Sequence, residues 1–414
     1  MRTPVQIGRF TVGQSLPWDL INEDGRRVFR KGFVINTEAS LKRILDMNLY
    51  YEAEAEEEPT TPESTTATPV DDSPKISREI KYSFSYDDPK KLQQEISESM
   101  FSFLDYCIYQ QQMISDAIIS KQTDQAENIH RLVENIDTIY RLSADACLGA
   151  IHMEFENHPY SALHPVYAAI LCLAMATALN LKENNRKSLV GAALTANLGM
   201  YDYHDRLVNT NAKLTDKQFE LLRKHPQIGA DYVKANDITD SLWLDIIMQS
   251  HERLDGSGYP NRLSDEQICL EAKIYASVDT YLAMVMPRAY RAAMVPKVAM
   301  QKIYETAVSE KNVLSFGLIK TLGVYPPGSF VRLNSRDIGI VVKRNPVQTT
   351  CPDVAVIASG TGNPYKEIVI KHTDSSVYKV IEALLPEKSY QIDLNKLWRQ
   401  TVDSNKIKRL EAAQ

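Results

Sequence analysis

Apolar residues recur at helical spacing through the middle of this chain. From residue 125 to about 310 they lie on Ala-rich faces that are separated by short loops. A period of about 3.6 residues over so long a stretch predicts a bundle of helices whose apolar faces pack together. The longest apolar run, residues 167–181, is shorter than the roughly 20 residues that span a bilayer. We therefore expect a buried helix there and no membrane span.

A helical stripe also precedes this stretch. Its apolar members step by three, four or seven residues, and they are Leu92, Ile96, Met100, Phe103, Cys107, Ile114 and Ile118. The ordinary interpretation is core packing within the chain. A helix of this length can instead pair with its own copy, which would make the protein a homodimer through residues 90–120.

The N-terminal region has a different pattern. In residues 1–50, Asp24-Gly25 lies between short apolar segments and predicts a hairpin, and apolar residues at helical spacing predict a helix over 40–48. We expect a small α+β module there. Residues 51–85 are acidic and rich in Thr and Pro, which predicts a disordered linker.

Beyond residue 325 short strand-like segments replace the helical pattern. They are 330–331, 338–342, 354–357 and 368–370, and residues such as Asn, Gly, Pro and Asp separate them. The predicted fold is therefore mainly α, with a helical domain over 86–315. A C-terminal β-rich module that ends in a helix follows over 316–414.

Composition limits the partners and the compartment. The net charge of -6 argues against a DNA- or RNA-binding protein, which would carry a basic face. The five cysteines are scattered without a CxxC pair, so we expect neither a disulfide framework nor a cysteine zinc site. The N-terminus lacks the apolar core of a signal peptide. These features together predict a protein of the cytoplasm.

Three histidines and one aspartate are the first candidates for chemistry. His164, His225, His251 and Asp279 come from separate predicted helices, and such side chains can converge on a transition-metal ion in a bundle core. Spacing alone leaves a second interpretation open. A histidine on an apolar face is commonly a packed, hydrogen-bonded core residue.

Residues 251–260 carry the most specific motif, His-Glu-Arg-Leu-Asp-Gly-Ser-Gly-Tyr-Pro. Other segments accompany it in order, and they are His158-Pro159-Tyr160-Ser161 with His164, Lys213-Leu214-Thr215, Lys224-His225-Pro226 with Gly229, and Arg288 with Tyr290-Arg291. Over this core, residues 158–291, the chain resembles the HD-GYP family. These are metal-dependent HD phosphohydrolases that degrade the bacterial messenger cyclic di-GMP.

The resemblance implies an HD-type helical bundle that holds iron or manganese ions, which activate water to attack a phosphodiester. The matching ligand positions are the four candidates named above. The family's His-Asp doublet, however, falls on Ala196 and Asn197. Ser250 occupies the position of the first histidine in the family's His-His pair. Met200 occupies the position of the lysine that follows the doublet.

These substitutions predict a depleted metal site. Asn197 offers one neutral oxygen where an aspartate would bridge two cations, and Ala196 offers no ligand. In the family's arrangement His164 and Asp279 serve one ion, and the two remaining histidines serve the other. Each ion then keeps about two protein ligands, below the three of a catalytic site. The protein is expected to hold iron or manganese poorly, or to be metal-free.

A literal His-Asp doublet, His204-Asp205, follows farther along the chain. Moving it to the position of the family doublet would shift it by two helical turns, or about 12 Å. We therefore expect it to lie away from the metal site and to serve in a loop or a helix cap.

The residues predicted to face a substrate match the family pattern better than the metal-ligand positions do. Arg288 and Arg291, three residues apart, and Arg253 are candidates for binding phosphate. The turn that follows Arg253 is here called the GYP loop. It contains Asp255, Gly256, Gly258, Tyr259 and Pro260. It either simply ends a helix or, as the resemblance implies, contacts a partner GGDEF domain.

Three functions stay open at this point. The first is a degenerate HD-GYP protein that binds cyclic di-GMP or a signalling partner and has little or no phosphodiesterase activity. The second is an active phosphodiesterase that produces pGpG or GMP. The third is a dimeric scaffold that binds no nucleotide. Resemblance of fold does not decide among them.

Overall fold

The computed structural model describes residues 89–153, 158–209, 215–288, 292–310, 313–374, 377–385, 390 and 392–399, together with 2–4, 10, 16, 18, 20–21, 27–29 and 49–52. Contacts between Cα atoms divide the chain into two units, Met1–Leu92 and Gln93–Gln414. The second unit contains both the helical domain and the C-terminal sheet. The four predicted domain ranges stay a prediction.

The first unit contains a small antiparallel sheet. Its strands are β1 (Arg2–Pro4), β2 (Leu20–Ile21), β3 (Arg27–Phe29) and β4 (Tyr50–Glu52), in the order β1-β4-β2-β3. β2 and β3 pair on either side of Asp24-Gly25, as the predicted hairpin requires. The predicted helix over 40–48 and nearly all of the predicted linker lie outside the described residues.

The helical domain follows. Its α-helices are α1 (Pro89–Glu98), α2 (Met100–Ile119), α3 (Ala126–Leu142), α4 (Ala144–Met153), α5 (Tyr160–Ala178), α6 (Glu183–Thr195), α7 (Tyr201–Asn209), α8 (Asp216–Ala235), α9 (Ser241–Gln249), α10 (Leu270–Val285), α11 (Pro296–Glu310) and α12 (Val313–Leu322). The mainly helical fold predicted from the periodicity is confirmed.

Helix α5 is the centre of this bundle. Every residue from Ser161 to Ala176 is buried, and α5 packs against α2, α6 and α10. Among the described residues it is the one helix long and apolar enough to cross a membrane, but most of its apolar stretch is buried inside the protein. Burial on all sides explains why its sequence has no polar face.

The apolar stripe that precedes the bundle is part of the core. Ile96, Met100, Phe103, Cys107 and Ile118 are all buried within this one chain. Core packing is therefore what the stripe does in the folded monomer. The homodimer through residues 90–120 stays a prediction, and these side chains are already covered without a partner.

The C-terminal part forms a five-stranded antiparallel sheet in the order β8-β7-β6-β5-β9. The strands are β5 (Phe330–Leu333), β6 (Ile338–Lys343), β7 (Asp353–Ala358), β8 (Pro364–His372) and β9 (Val380–Leu384), and helix α13 (Leu394–Arg399) follows. The four predicted strand segments all fall within β5 to β8. A β-rich module with a final helix is confirmed.

The sheet is fastened to the helical domain by specific contacts. Trp398 of α13 donates a hydrogen bond from Nε1 to the Val342 carbonyl, 2.9 Å away, and its ring lies directly against Gly149 of α4. His152 of α4 bonds both the Pro327 carbonyl and the Tyr281 hydroxyl of α10, each at 2.7 Å. The sheet thereby braces the helix that also carries Asp279.

Candidate functional site

Two histidines meet with their ring nitrogens facing each other. Nε2 of His225 on α8 lies 3.1 Å from Nε2 of His251, which follows α9. Nδ1 of His225 donates to the Leu222 carbonyl at 2.6 Å, which fixes the ring and leaves its Nε2 as an acceptor. Two nitrogens bound to one ion at about 2.1 Å lie roughly 3.0 to 3.4 Å apart. The pair therefore has the spacing of two ligands on one metal ion.

The electrostatic surroundings keep these rings neutral. Burial, together with the neighbouring His251, lowers the pKa of His225 to about 3. Burial also lowers the pKa of His251, although the Asp279 carboxylate opposes this shift. Neutral imidazole is the form that binds metal ions.

A second pair lies across the same site. Nε2 of His164 on α5 is 3.2 Å from Oδ1 of Asp279 on α10. Burial raises the pKa of Asp279, but its hydrogen bond to His164 and its favourable electrostatic interactions with His164, His251 and Arg288 outweigh burial and leave the pKa below its usual value. The interaction of Asp279 with His251 places both pairs within electrostatic reach of each other.

One of the substituted positions, Asn197, contacts His164 directly. Nδ2 of Asn197 lies 3.3 Å from Nδ1 of His164, and Asn197 is buried. Ala196 and Met200 are buried, and neither carries the imidazole or amine that the family pattern has at its position. Ser250 is buried as well, and its hydroxyl donates to the Ile247 carbonyl at 2.8 Å.

His204 lies beside the site, and the expectation that it would lie two helical turns away is wrong. Its ring centre is 5.9 Å from that of His164 and 5.0 Å from that of Tyr160. The expectation extended one helix from position 196 to position 204. The chain instead leaves α6 at Thr195, passes through a 3-10 turn at Leu198–Met200 and turns into α7. This change of direction brings His204 to His164.

Asp205 has the capping role that the sequence predicted for the doublet. Its carboxylate accepts hydrogen bonds from the backbone N–H and the hydroxyl of Ser161, at 2.9 and 2.8 Å. These bonds satisfy the first turn of α5, which lacks intrahelical partners for its N–H groups. They also fasten α7 to the end of α5 that carries His164.

The GYP loop is held from inside by Glu252. This buried carboxylate accepts the backbone N–H groups of Asn261 at 2.6 Å and of Leu263 at 2.9 Å. Gly258 lies so close to the preceding chain that a Cβ there would be 2.4 Å from the Arg253 nitrogen. The ring of Tyr259 stacks on His251 with centres 5.0 Å apart. The loop is thus built onto the metal-ligand candidate.

The predicted phosphate-binding arginines differ in their settings. Arg288 donates from Nη2 to the Tyr160 hydroxyl at 3.2 Å, and it lowers the pKa of Asp279. Arg253 is exposed beside the GYP loop. Arg291 lies outside the described residues. One guanidinium is therefore fixed at the site and one is at its rim.

The donor set fits a transition metal in chemistry but is incomplete in number. Each of the two pairs offers imidazole or carboxylate donors at about the spacing of ligands on one ion. Among the described residues, however, no three His, Cys, Asp or Glu side chains are already grouped to hold a metal. One further donor would have to reach each ion.

Comparison with known proteins agrees with this geometry. A family model described as HD domain matches residues 150–311, the range that contains all four ligand candidates. Residues 150–311 of this chain are therefore similar to an HD domain. The match confirms the resemblance inferred from the sequence at the level of the family. The match does not show what the substitutions at positions 196, 197 and 250 do to metal binding.

Several curated relatives of this chain are phosphodiesterases by name. A cyclic di-GMP phosphodiesterase of Pseudomonas aeruginosa is 30% identical over 247 residues, which are 60% of this chain and 59% of the relative. The cyclic di-GMP phosphodiesterase PdeB of Borreliella burgdorferi is 23% identical over 57% of this chain and 63% of its own length. The chain thus spans about three fifths of each relative.

A solved structure also matches this chain. It is an HDG"Y"P protein from Bdellovibrio bacteriovorus, with 16% identity and a TM-score of 0.42. The match covers 74% of this chain and 94% of that structure.

Two residues of the site were not found by sequence reasoning. Glu252 is the second residue of the 251–260 motif, and its binding of loop N–H groups depends on how residues 261–263 fold back. Tyr160 belongs to the His158-Pro159-Tyr160-Ser161 segment, and its ring stacks on His164 with centres 5.3 Å apart. Its spacing of four residues from His164 on a predicted helix was the available signal.

Proposed function

We propose that this HD domain protein is a degenerate receptor in cyclic di-GMP signalling in the cytoplasm, with little or no phosphodiesterase activity. The observation that carries the proposal is the contact between Asn197 and His164. A neutral amide lies where the family pattern has a carboxylate that bridges two cations. Loss of that charge removes the strongest ligand of the pattern.

Hydrolysis needs more than the remaining donors supply. Iron or manganese, when bound by His164, Asp279, His225 and His251, would provide an activated water for attack on phosphorus. Two protein ligands for each ion are fewer than a catalytic site normally provides. We infer weak metal retention and, consequently, slow or absent turnover.

Binding of a cyclic dinucleotide depends on other groups. Its two phosphates carry negative charge, and a guanidinium can donate two parallel hydrogen bonds to a phosphate. Arg288 is positioned for this by the Tyr160 hydroxyl. Arg253 at the rim and Arg291 complete the proposed phosphate-binding set. None of these groups requires the lost metal ligands.

The GYP loop is the proposed surface for a signalling partner such as a GGDEF-type domain. Asp255 and Ser257 are exposed on a turn whose base is fixed by Glu252. A rigid exposed loop loses little conformational freedom when it binds a partner. A homodimer through residues 90–120 belongs to the same proposal, and sedimentation equilibrium of the full chain tests it.

The test measures binding and turnover separately. Purified full-length protein, loaded anaerobically with Mn²⁺ or Fe²⁺, is titrated with cyclic di-GMP by calorimetry and then assayed for pGpG and GMP by chromatography. We expect saturable binding without turnover. Steady production of pGpG or GMP would instead establish the active phosphodiesterase. If neither the Mn²⁺-loaded nor the Fe²⁺-loaded protein binds cyclic di-GMP, the dimeric scaffold without nucleotide is the remaining function.

A further inference from the structure

Strand β8 forms one edge of the C-terminal sheet, and among the described residues no strand pairs with its outer side. None of its nine residues is buried, whereas every residue of the neighbouring β7 except the first is buried. Three consecutive β-branched apolar residues, Ile368, Val369 and Ile370, lie at its centre, and Val369 is 50% exposed. An exposed edge strand presents backbone N–H and C=O groups to which another strand can bind.

Charged residues flank this apolar centre. Glu367 precedes it and Lys371 follows it. Charges on an edge strand ordinarily prevent association with other chains. In the order Glu-Ile-Val-Ile-Lys, however, opposite charges lie at equal distances on either side of Val369. An antiparallel copy of the same strand therefore presents a lysine wherever this strand has the glutamate.

We propose that β8 pairs antiparallel with β8 of a second copy of this chain, about a two-fold axis beside Val369. In such a pair the central residue lies opposite its own copy, and the other opposed residues are equally far from the centre. Glu367 then lies opposite Lys371 of the second copy, and symmetry gives this pair twice. Ile368 lies opposite Ile370 in the same way.

The neighbouring two-fold registers are less favourable. A centre at Ile368 places Glu367 opposite Val369, and a centre at Ile370 places Lys371 opposite Val369. A charge that faces an apolar side chain gains no ion pair and loses part of its hydration. Of these three registers, the one centred on Val369 is the register that pairs charge with opposite charge and apolar with apolar side chains.

The pairing extends packing that the sheet already has. Val369 lies opposite Val356 of β7, which is buried in the apolar cluster on that face of the sheet. Ile370 lies opposite Ala355, which is buried on the other face. Side chains that lie opposite each other in paired strands point to the same face. The second copy therefore adds a valine to the first face and isoleucines to the second.

The next pair outward brings Lys366 opposite His372 of the second copy. The His372 ring is bonded to the Asp353 carboxylate of β7 at 2.7 Å. This carboxylate supplies a negative charge near the lysine. The register thus extends beyond the five central residues without two carboxylates or two amines facing each other.

This contact goes beyond the proposed receptor function and is separate from the proposed dimer through residues 90–120. Each contact has two-fold symmetry, so either one alone gives a dimer, and both together would give larger assemblies. A single pair of edge strands buries a small area, so we expect a weak dimer with a Kd of about 1 to 100 µM.

Charge reversal in two separate chains tests the register. Sedimentation velocity compares the full-length wild type, Glu367→Lys, Lys371→Glu and an equimolar mixture of the two variants, over protein concentrations that span the expected Kd. Each variant alone places like charges opposite each other twice, so its self-association should weaken by roughly 10- to 100-fold. In the mixture both pairs regain opposite charges, and the two variants should bind each other about as tightly as wild type binds itself. Lys379→Glu, at an exposed lysine outside β8, is the control and should match wild type.

A cysteine at the proposed axis gives an independent measurement. Opposed residues in antiparallel strands have Cα atoms about 4.5 to 5.5 Å apart, a distance that a disulfide can bridge. Mild oxidation should therefore link Val369→Cys into a covalent dimer. Val347→Cys, at a valine that is 88% exposed and lies outside β8, and the wild type with its five cysteines should cross-link more slowly. Circular dichroism checks that each variant is folded, because Lys371 also bonds the Tyr378 hydroxyl of its own chain at 3.0 Å.

Three outcomes would overturn the proposal. The first is a wild-type protein that stays monomeric over the whole concentration range. The second is self-association of Glu367→Lys and Lys371→Glu equal to that of wild type, which would place the contact on another surface, such as residues 90–120. The third is a pair of folded variants that do not bind each other in the mixture. None of these measurements involves cyclic di-GMP, so each is distinct from a failure of the receptor function.

Discussion

Nδ2 of Asn197 lies 3.3 Å from Nδ1 of His164, and this contact sets the proton position on the imidazole. An amide N–H donates to Nδ1, so the ring proton is on Nε2, where it can donate to Asp279 at 3.2 Å. That nitrogen is the one a metal ion would occupy. Asn197 thus favours the metal-free arrangement, whereas an aspartate would accept the proton at Nδ1 and free Nε2.

Restoring the family ligands should restore metal binding. We expect the triple variant Ala196→His, Asn197→Asp, Ser250→His to retain more manganese or iron than wild type and to gain hydrolysis of cyclic di-GMP. Elemental analysis and chromatography measure the two effects. A variant with Lys187→His and Asn128→Asp, both exposed, controls for added imidazole and carboxylate. If the triple variant gains neither metal nor activity, these positions do not correspond to the family's ligands.

The fold could be predicted from the sequence because burial imposes periodicity. Helical spacing over residues 125–310 and short strand-like segments after 325 both reflect which side chains must face a core. The four ligand candidates were found because a specific motif fixes their order. Their convergence in two pairs follows from helices that pack side by side.

The placement of His204 could not be predicted for a physical reason. Linear spacing translates into distance only while a helix continues, and α6 ends at Thr195. The turn at Leu198–Met200 depends on packing of the buried Leu198 and on Gly199, where a Cβ would be 2.1 Å from the His225 carbonyl oxygen. Such a close approach between distant segments leaves no periodic signal.

Arg288 should carry much of the nucleotide affinity. Arg288→Gln removes a charged donor for phosphate, and hydrogen bonds to charged groups contribute about 1.5 to 3 kcal/mol. We expect cyclic di-GMP to bind roughly 10- to 100-fold more weakly in calorimetric titrations. Arg288→Lys keeps the charge but loses the planar fork, so it should recover only part of the affinity. Arg131→Gln, at an exposed arginine, is the control. An equal loss of affinity in Arg131→Gln and Arg288→Gln would contradict a specific role for Arg288.

Glu252 should stabilise the GYP loop. Glu252→Gln leaves one oxygen to accept the Asn261 and Leu263 N–H groups and directs an NH₂ group at one of them. We expect the free energy of unfolding in urea to fall by about 1 to 3 kcal/mol, with faster amide exchange at 261–263. Glu266→Gln, on an exposed side chain of the following segment, should change stability by less than about 0.5 kcal/mol. Unchanged exchange at 261–263 would show that Glu252 does not hold the loop.

Acid should weaken the attachment of the C-terminal sheet through His152. This ring donates to Pro327 and accepts from Tyr281, which requires one neutral tautomer, and burial lowers its pKa from 6.5 to about 4. Between these values the unfolded chain binds a proton that the folded protein does not. The stability is therefore complete above pH 6.5 and is lost as the pH falls toward 4, by up to about 3 kcal/mol.

Urea unfolding of wild type and His152→Asn at several pH values measures this contribution. The asparagine amide can still donate to Pro327 but does not titrate, so the variant should be less stable at pH 7. Its deficit should shrink as the pH falls from 6.5 to 4, because only the wild type loses stability to protonation of residue 152. Asn128→Ala, at an exposed side chain that does not titrate, should show a constant difference from wild type. A constant deficit in His152→Asn would mean that His152 does not couple protonation to the packing of α4 against the sheet.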